Sequence, residues 1–247
     1  MLIYGPRAHY LHLKIEPMNT LIHDHRKKKK LFDQNYQGLL SGNSEFVASS
    51  LKKDKDFFEK LASGQHPEIL WIGCADSRVP ASQITSSGPG DIFEHRNIAN
   101  VCLHSDINLL SVLDYSVNSL KVKHVIVAGH YRCGGVRAAL KGEPVGFIDH
   151  WLLHIRDVYQ QHREEIDQLS NQTQKWDRLV ELNVLQQVNN LSRAPIIDKA
   201  WADGANLVIH GWIIDLESGF VKEMYQSDTH FRKEGKVWLL EKDSIIA

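Results

Sequence analysis

Two stretches of this chain are apolar without interruption and then break at once into reactive side chains. Ile69-Leu-Trp-Ile runs through Gly73 into Cys74-Ala-Asp76-Ser-Arg78, and His124-Val-Ile-Val-Ala runs through Gly129 into His130-Tyr-Arg-Cys133-Gly-Gly. Short apolar runs without polar alternation read as strands buried on both faces, which belong to parallel sheets covered by helices. If the two strands lie side by side, their C-terminal ends open into one crevice. Cys74, His130 and Cys133 then converge, with Asp76 and Arg78 beside them.

The rest of the pattern fits that architecture. Ser44 to Ala62 reads as a helix, with Ser44 as its cap and Val47, Leu51, Phe58 and Ala62 at helical spacing; Gly64 ends it. Glu68–Gly73, Asp91–His95, Val122–Gly129 and Asn206–His210 read as strands. Between them, Asp106–Leu120, Val136–Leu140, Trp151–Ile166, Trp176–Leu191 and Ile196–Ala202 read as helices. Asp215-Leu-Glu-Ser-Gly219 is a hairpin turn into Phe220–Met224, which makes the last strand antiparallel. Alternation of this kind predicts an α/β fold: a mostly parallel central β-sheet with an antiparallel edge strand, flanked by helices.

With 247 residues the chain suffices for one large α/β domain, expected over residues 36–247. Residues 1–35 differ: they are basic and histidine-rich, ending near His25-Arg-Lys-Lys-Lys-Lys30, and read as a flexible, solvated extension. His9, His12, His23 and His25 fall there. Met18 resembles a more usual start. Against 29 basic side chains stand 30 acidic ones, so no whole-molecule field recruits nucleic acid or an anionic membrane. No apolar run reaches membrane-spanning length and no signal-peptide order is present, so the expected location is cytoplasmic. Three cysteines are too few for a disulfide framework and point to metal ligation, nucleophilic chemistry or core filling in a reducing compartment. Cys102 reads as core filler.

Two thiolates and an imidazole suit zinc in a tetrahedral site with one position left over. Such a site is formally neutral, so bound water is less acidified than in an all-histidine site and activity is expected to favour alkaline pH. In an extended segment Asp76 and Arg78 project to the same side and can pair in a bidentate way. Asp76 then has two options: stay with Arg78 and orient a zinc-bound hydroxide, or swing across as the fourth ligand and close the site. His104, His150 and His154 are proton-shuttle candidates by residue type alone.

At these residues the chain closely resembles the β-class carbonic anhydrases. The matching pieces are Trp71-Ile-Gly-Cys74-Ala-Asp76-Ser-Arg78-Val-Pro80, His95-Arg96-Asn97-Ile-Ala-Asn100 and Gly129-His130-Tyr-Arg-Cys133-Gly-Gly135. The likeness continues through Trp151–Arg156, Glu181-Leu-Asn183-Val and His210-Gly-Trp212, from about Gln37 to Tyr225. The resemblance implies one zinc ion on Cys74, His130 and Cys133, with Asp76 and Arg78 as the catalytic dyad. It implies attack of zinc-bound hydroxide on carbon dioxide, with bicarbonate and a proton as products. It also implies a homodimer or homotetramer and a helical N-terminal arm crossing to the partner subunit. Some members carry an inhibitory bicarbonate pocket; Trp71, Arg96 and Tyr115 match it, but Ile214 stands where that pocket has a further tyrosine.

Three functions fit the residues: hydration of carbon dioxide, hydrolysis of carbon disulfide or carbonyl sulfide at a related zinc site, and a zinc-stabilised binding module without turnover. The Asp76–Arg78 pair argues against the third, because a purely structural site has no use for it. A redox role is weaker still, because the two metal cysteines form no C-x-x-C pair.

Overall fold

The structure, a computed structural model, describes residues 18–239. The chain divides between Ser63 and Gly64 into two compact units. In the first, helix α1 spans Met18–Lys53, rich in good helix formers, with Lys52 and Lys53 in its last turn where they complement the helix dipole. Helix α2 (Phe57–Ala62) follows, and Phe46 of α1 meets Phe57 and Phe58 edge-on at 6.1 and 6.0 Å. The single helix expected over 44–62 is therefore two. Ser44 caps nothing: it lies inside α1, its hydroxyl donating to the Leu40 carbonyl at 3.2 Å. The break falls at Asp54, whose carboxylate accepts from the Asp56 amide (3.1 Å) and the Lys60 ammonium (2.7 Å), a local turn that competes with helix continuation. Residues 18–35 of the basic segment are helical; residues 1–17 lie outside those described.

The second unit is a six-stranded sheet in the order β2-β1-β3-β4-β5-β6. Strands β1 (Ile69–Cys74), β2 (Ile92–Asn97), β3 (His124–His130) and β4 (Val208–Ile214) are parallel, and β5 (Val221–Ser227) is antiparallel to β4, as the apolar runs and the hairpin turn predicted. The two-residue β6 (Trp238–Leu239) adds a second antiparallel strand outside β5. The turn closes through Gly219, at φ 80, whose amide donates to the Asp215 carbonyl at 2.8 Å.

Three crossovers join the parallel strands. Helix α3 (Ala81–Thr85) lies between β1 and β2. Helix α4 (Ile107–Asp114), continued by a π turn at Tyr115–Leu120, leads to β3; Asp106 caps it by accepting from the Asn108 and Leu109 amides. From β3 to β4 the chain passes through α5 (Gly134–Lys141), α6 (Asp149–Gln161), α7 (Arg163–Asp167), α8 (Gln172–Ser192) and α9 (Pro195–Ala202). The expected helix over 151–166 is interrupted at His162, which leaves helical geometry at φ −116. Helix α8 begins four residues before the expected Trp176, because Asn171 accepts from the Gln174 amide and sets the start there. A final short helix, α10 (Phe231–Glu234), precedes β6.

Successive strand residues face opposite sides of a sheet. Leu70 aligns with Phe93 and Val125, whereas Trp71 aligns with Glu94 and Ile126, so these two sets occupy opposite faces. Helix α8 packs against the Leu70 face so closely that a Cβ at Gly129 would meet Val184 Cγ2 at 2.5 Å, and one at Gly211 would meet Val184 Cγ1 at 3.0 Å. Absence of side chains there lets α8 approach the C-terminal end of β3 and the middle of β4. Among the described residues, no helix is long and apolar enough to cross a membrane.

Candidate metal centre

Cys74 is the last residue of β1 and His130 the last of β3, and β1 and β3 are neighbours, so the sheet itself sets the two side by side. Cys133 follows in the turn before α5. One ring nitrogen of His130 and the sulfurs of Cys74 and Cys133 lie within 4.8 Å of one another, all three residues buried. The sulfurs are 3.9 Å apart. His130 Nδ1 donates to the Tyr131 carbonyl at 2.9 Å, which fixes the tautomer and leaves the Nε2 lone pair free; Nε2 is buried with no hydrogen-bond partner. A buried imidazole nitrogen does not normally go unpaired. Two soft sulfurs and a free imidazole lone pair at this spacing fit zinc.

Electrostatics agree. The two thiols share their protons unequally: the Cys133 thiol is held above its ordinary value mainly by donating to Cys74, and Cys74 is correspondingly lowered, its sulfur also accepting from the Ala99 amide at 3.4 Å. Two thiolates at such a distance repel, and only a cation between them lets both ionise. Ala99 is itself at φ 60, and its carbonyl accepts from Asn183 of α8 at 3.0 Å, which steadies the amide that faces the sulfur. Cys102 is core, as expected: it is buried apart from the cluster and burial pushes its thiol up.

Asp76 and Arg78 pair in a bidentate way, Nε to Oδ1 at 2.9 Å and a terminal nitrogen to Oδ2 at 2.7 Å. They do so across a turn rather than along an extended segment: the Val79 amide donates to the Asp76 carbonyl at 3.2 Å, and the Arg78 amide to Asp76 Oδ1 at 3.0 Å. A carboxylate that captures the amide two residues on makes such a turn locally. The Arg78 guanidinium holds the Asp76 carboxyl well below the usual carboxylate range. Oδ2 lies 3.8 Å from His130 Nε2.

Of the residues matched to a bicarbonate pocket, register sets Trp71 and Arg96 on one sheet face. Trp71 is buried and meets Trp212 edge-on at 5.9 Å. Tyr115 is half-exposed against Phe93 at 5.7 Å, on the face opposite Trp71. Arg96 donates through Nε and one terminal nitrogen to the carbonyls of Cys74 (3.0 and 2.8 Å) and Asp76 (2.7 Å), where it braces the Cys74–Asp76 segment. Of the shuttle candidates, His104 bonds the Asn190 carbonyl, while His150 and His154 lie against Phe147 and Trp151. Sequence patterning gave Trp176 only as a helical residue, yet its Nε1 donates to the Cys133 carbonyl at 2.8 Å; no local spacing announces so distant a contact.

A parallel α/β sheet that gathers Cys, His and Cys at neighbouring strand ends, with a carboxylate 3.8 Å from the imidazole, defines an α/β protein with a zinc-compatible centre. Comparison with known proteins names the family. The description Carbonic anhydrase matches residues 69–221. A carbonic anhydrase of Emericella nidulans is 40% identical over 201 residues, covering 81% of this chain and 88% of that protein. A Coccomyxa β-carbonic anhydrase solved with acetazolamide superposes with a TM-score of 0.77 at 38% identity, covering 81% of this chain and 90% of that one. One of two tetrameric β-carbonic anhydrases from Sordaria macrospora gives 0.75 at 40% identity, covering 77% and 96%. The chain belongs to the β-class carbonic anhydrases, a family of carbonate dehydratases.

Proposed function

We propose that this chain catalyses the reversible hydration of carbon dioxide to bicarbonate and a proton, with one zinc ion held by Cys74, His130 and Cys133. The observation that carries the reading is the buried, unpartnered Nε2 of His130 grouped with two thiols, beside a carboxylate already engaged by arginine. Zinc, when bound, supplies the Lewis acidity that brings a water's pKa toward neutrality, tempered here by the two thiolates.

The chain's own residues do the rest. Asp76 stays ionised because Arg78 donates to both of its oxygens. An ionised carboxylate accepts hydrogen bonds and donates none, so it orients the attacking water and leaves an oxygen lone pair facing the carbon of carbon dioxide. Arg78 keeps that carboxylate back from the cluster, the open one of the two arrangements that the Asp76–Arg78 pair allows. One water and one carbon dioxide give bicarbonate and a proton, and the proton passes to bulk buffer. The tetrameric Sordaria macrospora relatives support a homo-oligomer, either dimer or tetramer.

Stopped-flow hydration of carbon dioxide by the zinc-loaded protein across pH tests the reading. Activity is expected to rise towards alkaline pH and to fall about 100-fold or more in Asp76→Asn with zinc content unchanged. A zinc-loaded parent without activity at any pH overturns it.

A further inference from the structure

We infer that Trp176, with Arg132 stacked on its ring, is a positioning residue that presets Cys133 for the metal; the inference rests on the zinc reading above. Three consecutive residues of the turn after β3 are tied to α8. The Tyr131 hydroxyl donates to Glu181 at 2.7 Å, Arg132 donates to both oxygens of Asp177 at 3.0 and 2.9 Å, and Trp176 Nε1 donates to the Cys133 carbonyl at 2.8 Å. Turn and helix run in opposite directions, so residues 131, 132 and 133 meet 181, 177 and 176.

Arg132 makes the clamp necessary. Its φ of 60 lies in the left-handed region, which a residue with a Cβ keeps only when its surroundings hold it there. Those surroundings are Asp177, Glu217 at 2.9 Å, and the Trp176 ring, whose centroid is 5.8 Å from the guanidinium carbon. Arg137 of α5 approaches the same ring at 5.2 Å, so the residues on either side of Cys133 share one aromatic surface. The turn also touches the Asp76–Arg78 pair, since Arg78 donates to the Arg132 carbonyl at 3.3 Å. The Cys133 carbonyl accepts from two donors, the Arg137 amide of α5 at 3.0 Å and Trp176 Nε1. Trp176 thus adds the tie to α8 that the start of α5 alone does not give, and the Cys133 sulfur sits 3.9 Å from that of Cys74. A ligand that loses such support binds metal about 10- to 100-fold more weakly.

Trp176→Phe keeps the ring and removes the N–H. Trp201→Phe is the matched control: it removes an indole N–H that donates to a backbone carbonyl, that of Leu207 at 2.8 Å, outside the cluster. Zinc affinity is measured in the full chain by chelator competition, and sulfur-to-metal charge-transfer bands in the cobalt-loaded protein. Trp176→Phe is expected to weaken zinc about 10- to 100-fold and to alter the cobalt bands, with Trp201→Phe matching the parent. The parent's affinity and spectrum retained in Trp176→Phe, or equal losses in both variants, overturns the inference. Should Trp176→Phe not fold, Arg132→Lys, which lacks the planar fork, is read by the same assays: weaker zinc supports the clamp and unchanged zinc overturns it. A parent that takes up neither zinc nor cobalt overturns the metal reading itself, a result distinct from a parent that binds and a variant that binds equally well.

Discussion

Asp76 Oδ2 stops 3.8 Å from His130 Nε2, too far for a hydrogen bond, because each side chain is held by another partner. Arg78 grips the carboxylate, and the Tyr131 carbonyl takes the other imidazole nitrogen. The relationship keeps the carboxylate near the Cys-His-Cys cluster without joining it.

Removing the grip tests its use. In Arg78→Ala the Asp76 carboxyl is expected to return towards the ordinary carboxylate range and the side chain to move freely. Hydration of carbon dioxide then falls about 100-fold while zinc content stays at the parent level, measured by stopped flow and metal analysis. Stability changes by only about 0.5–1 kcal/mol, because Arg78 is half-exposed and solvent screens the pair. The depressed Asp76 value makes that increment present above the unfolded carboxylate pKa and lost as pH falls through the folded one.

Cys74→Ser removes a sulfur rather than a supporting contact. Loss of a supporting residue costs about 10- to 100-fold in metal affinity, so loss of a ligand is expected to exceed about 100-fold. Metal analysis after dialysis against a weak chelator reads the result; full occupancy would remove Cys74 from the ligand set.

Bicarbonate is expected not to inhibit at low pH. Arg96 turns its Nε and one terminal nitrogen to the Cys74 and Asp76 carbonyls, Tyr115 lies on the opposite sheet face from Trp71, and Ile214 offers no hydroxyl. Initial rates with added bicarbonate, corrected for the reverse reaction, check this. Arg96→Ala instead lowers stability by about 2–3 kcal/mol in urea unfolding, through carbonyls left without their charged donor.

Stability itself is expected to fall on mild acidification. Burial holds the His95 and His124 imidazoles below their ordinary value; His124 Nδ1 donates to His210 Nε2 at 3.0 Å, and His210 Nδ1 to Glu223. A lowered imidazole pKa means that the unfolded chain binds protons which the folded chain refuses. Stability is therefore complete above about pH 6.5 and declines as pH falls through that value. Glu223, lowered by its bond to His210, makes a contribution that is lost only at still lower pH. Thermal melts between pH 5.5 and 8 should show the slope, and His124→Gln should flatten it; a melting temperature constant across that range contradicts the assignment.

By itself the sequence determined the four parallel strands, the antiparallel β5 and the residues of the Cys-His-Cys cluster, but not β6. Uninterrupted apolar runs had to be buried on both faces, and Cys74, Asp76, Arg78, His130 and Cys133 follow them directly, so neighbouring parallel strands place all five at one edge. Helices with clear periodicity were equally legible, with ends displaced where a cap such as Asn171 or a turn such as that at Asp54 acted locally. Tertiary structure alone decided the rest. Whether Tyr115 can join Trp71 depends on which face its ring meets, which follows from strand register across β1 and β2 and not from composition. Arg96 could have faced a ligand with its whole guanidinium, and the bonds that two of its nitrogens make to backbone carbonyls depend on how the segment after β1 turns. Trp176 reaches Cys133 only because Gly129 and Gly211 let α8 lie close on the sheet, a contact between residues 43 positions apart that no local pattern encodes.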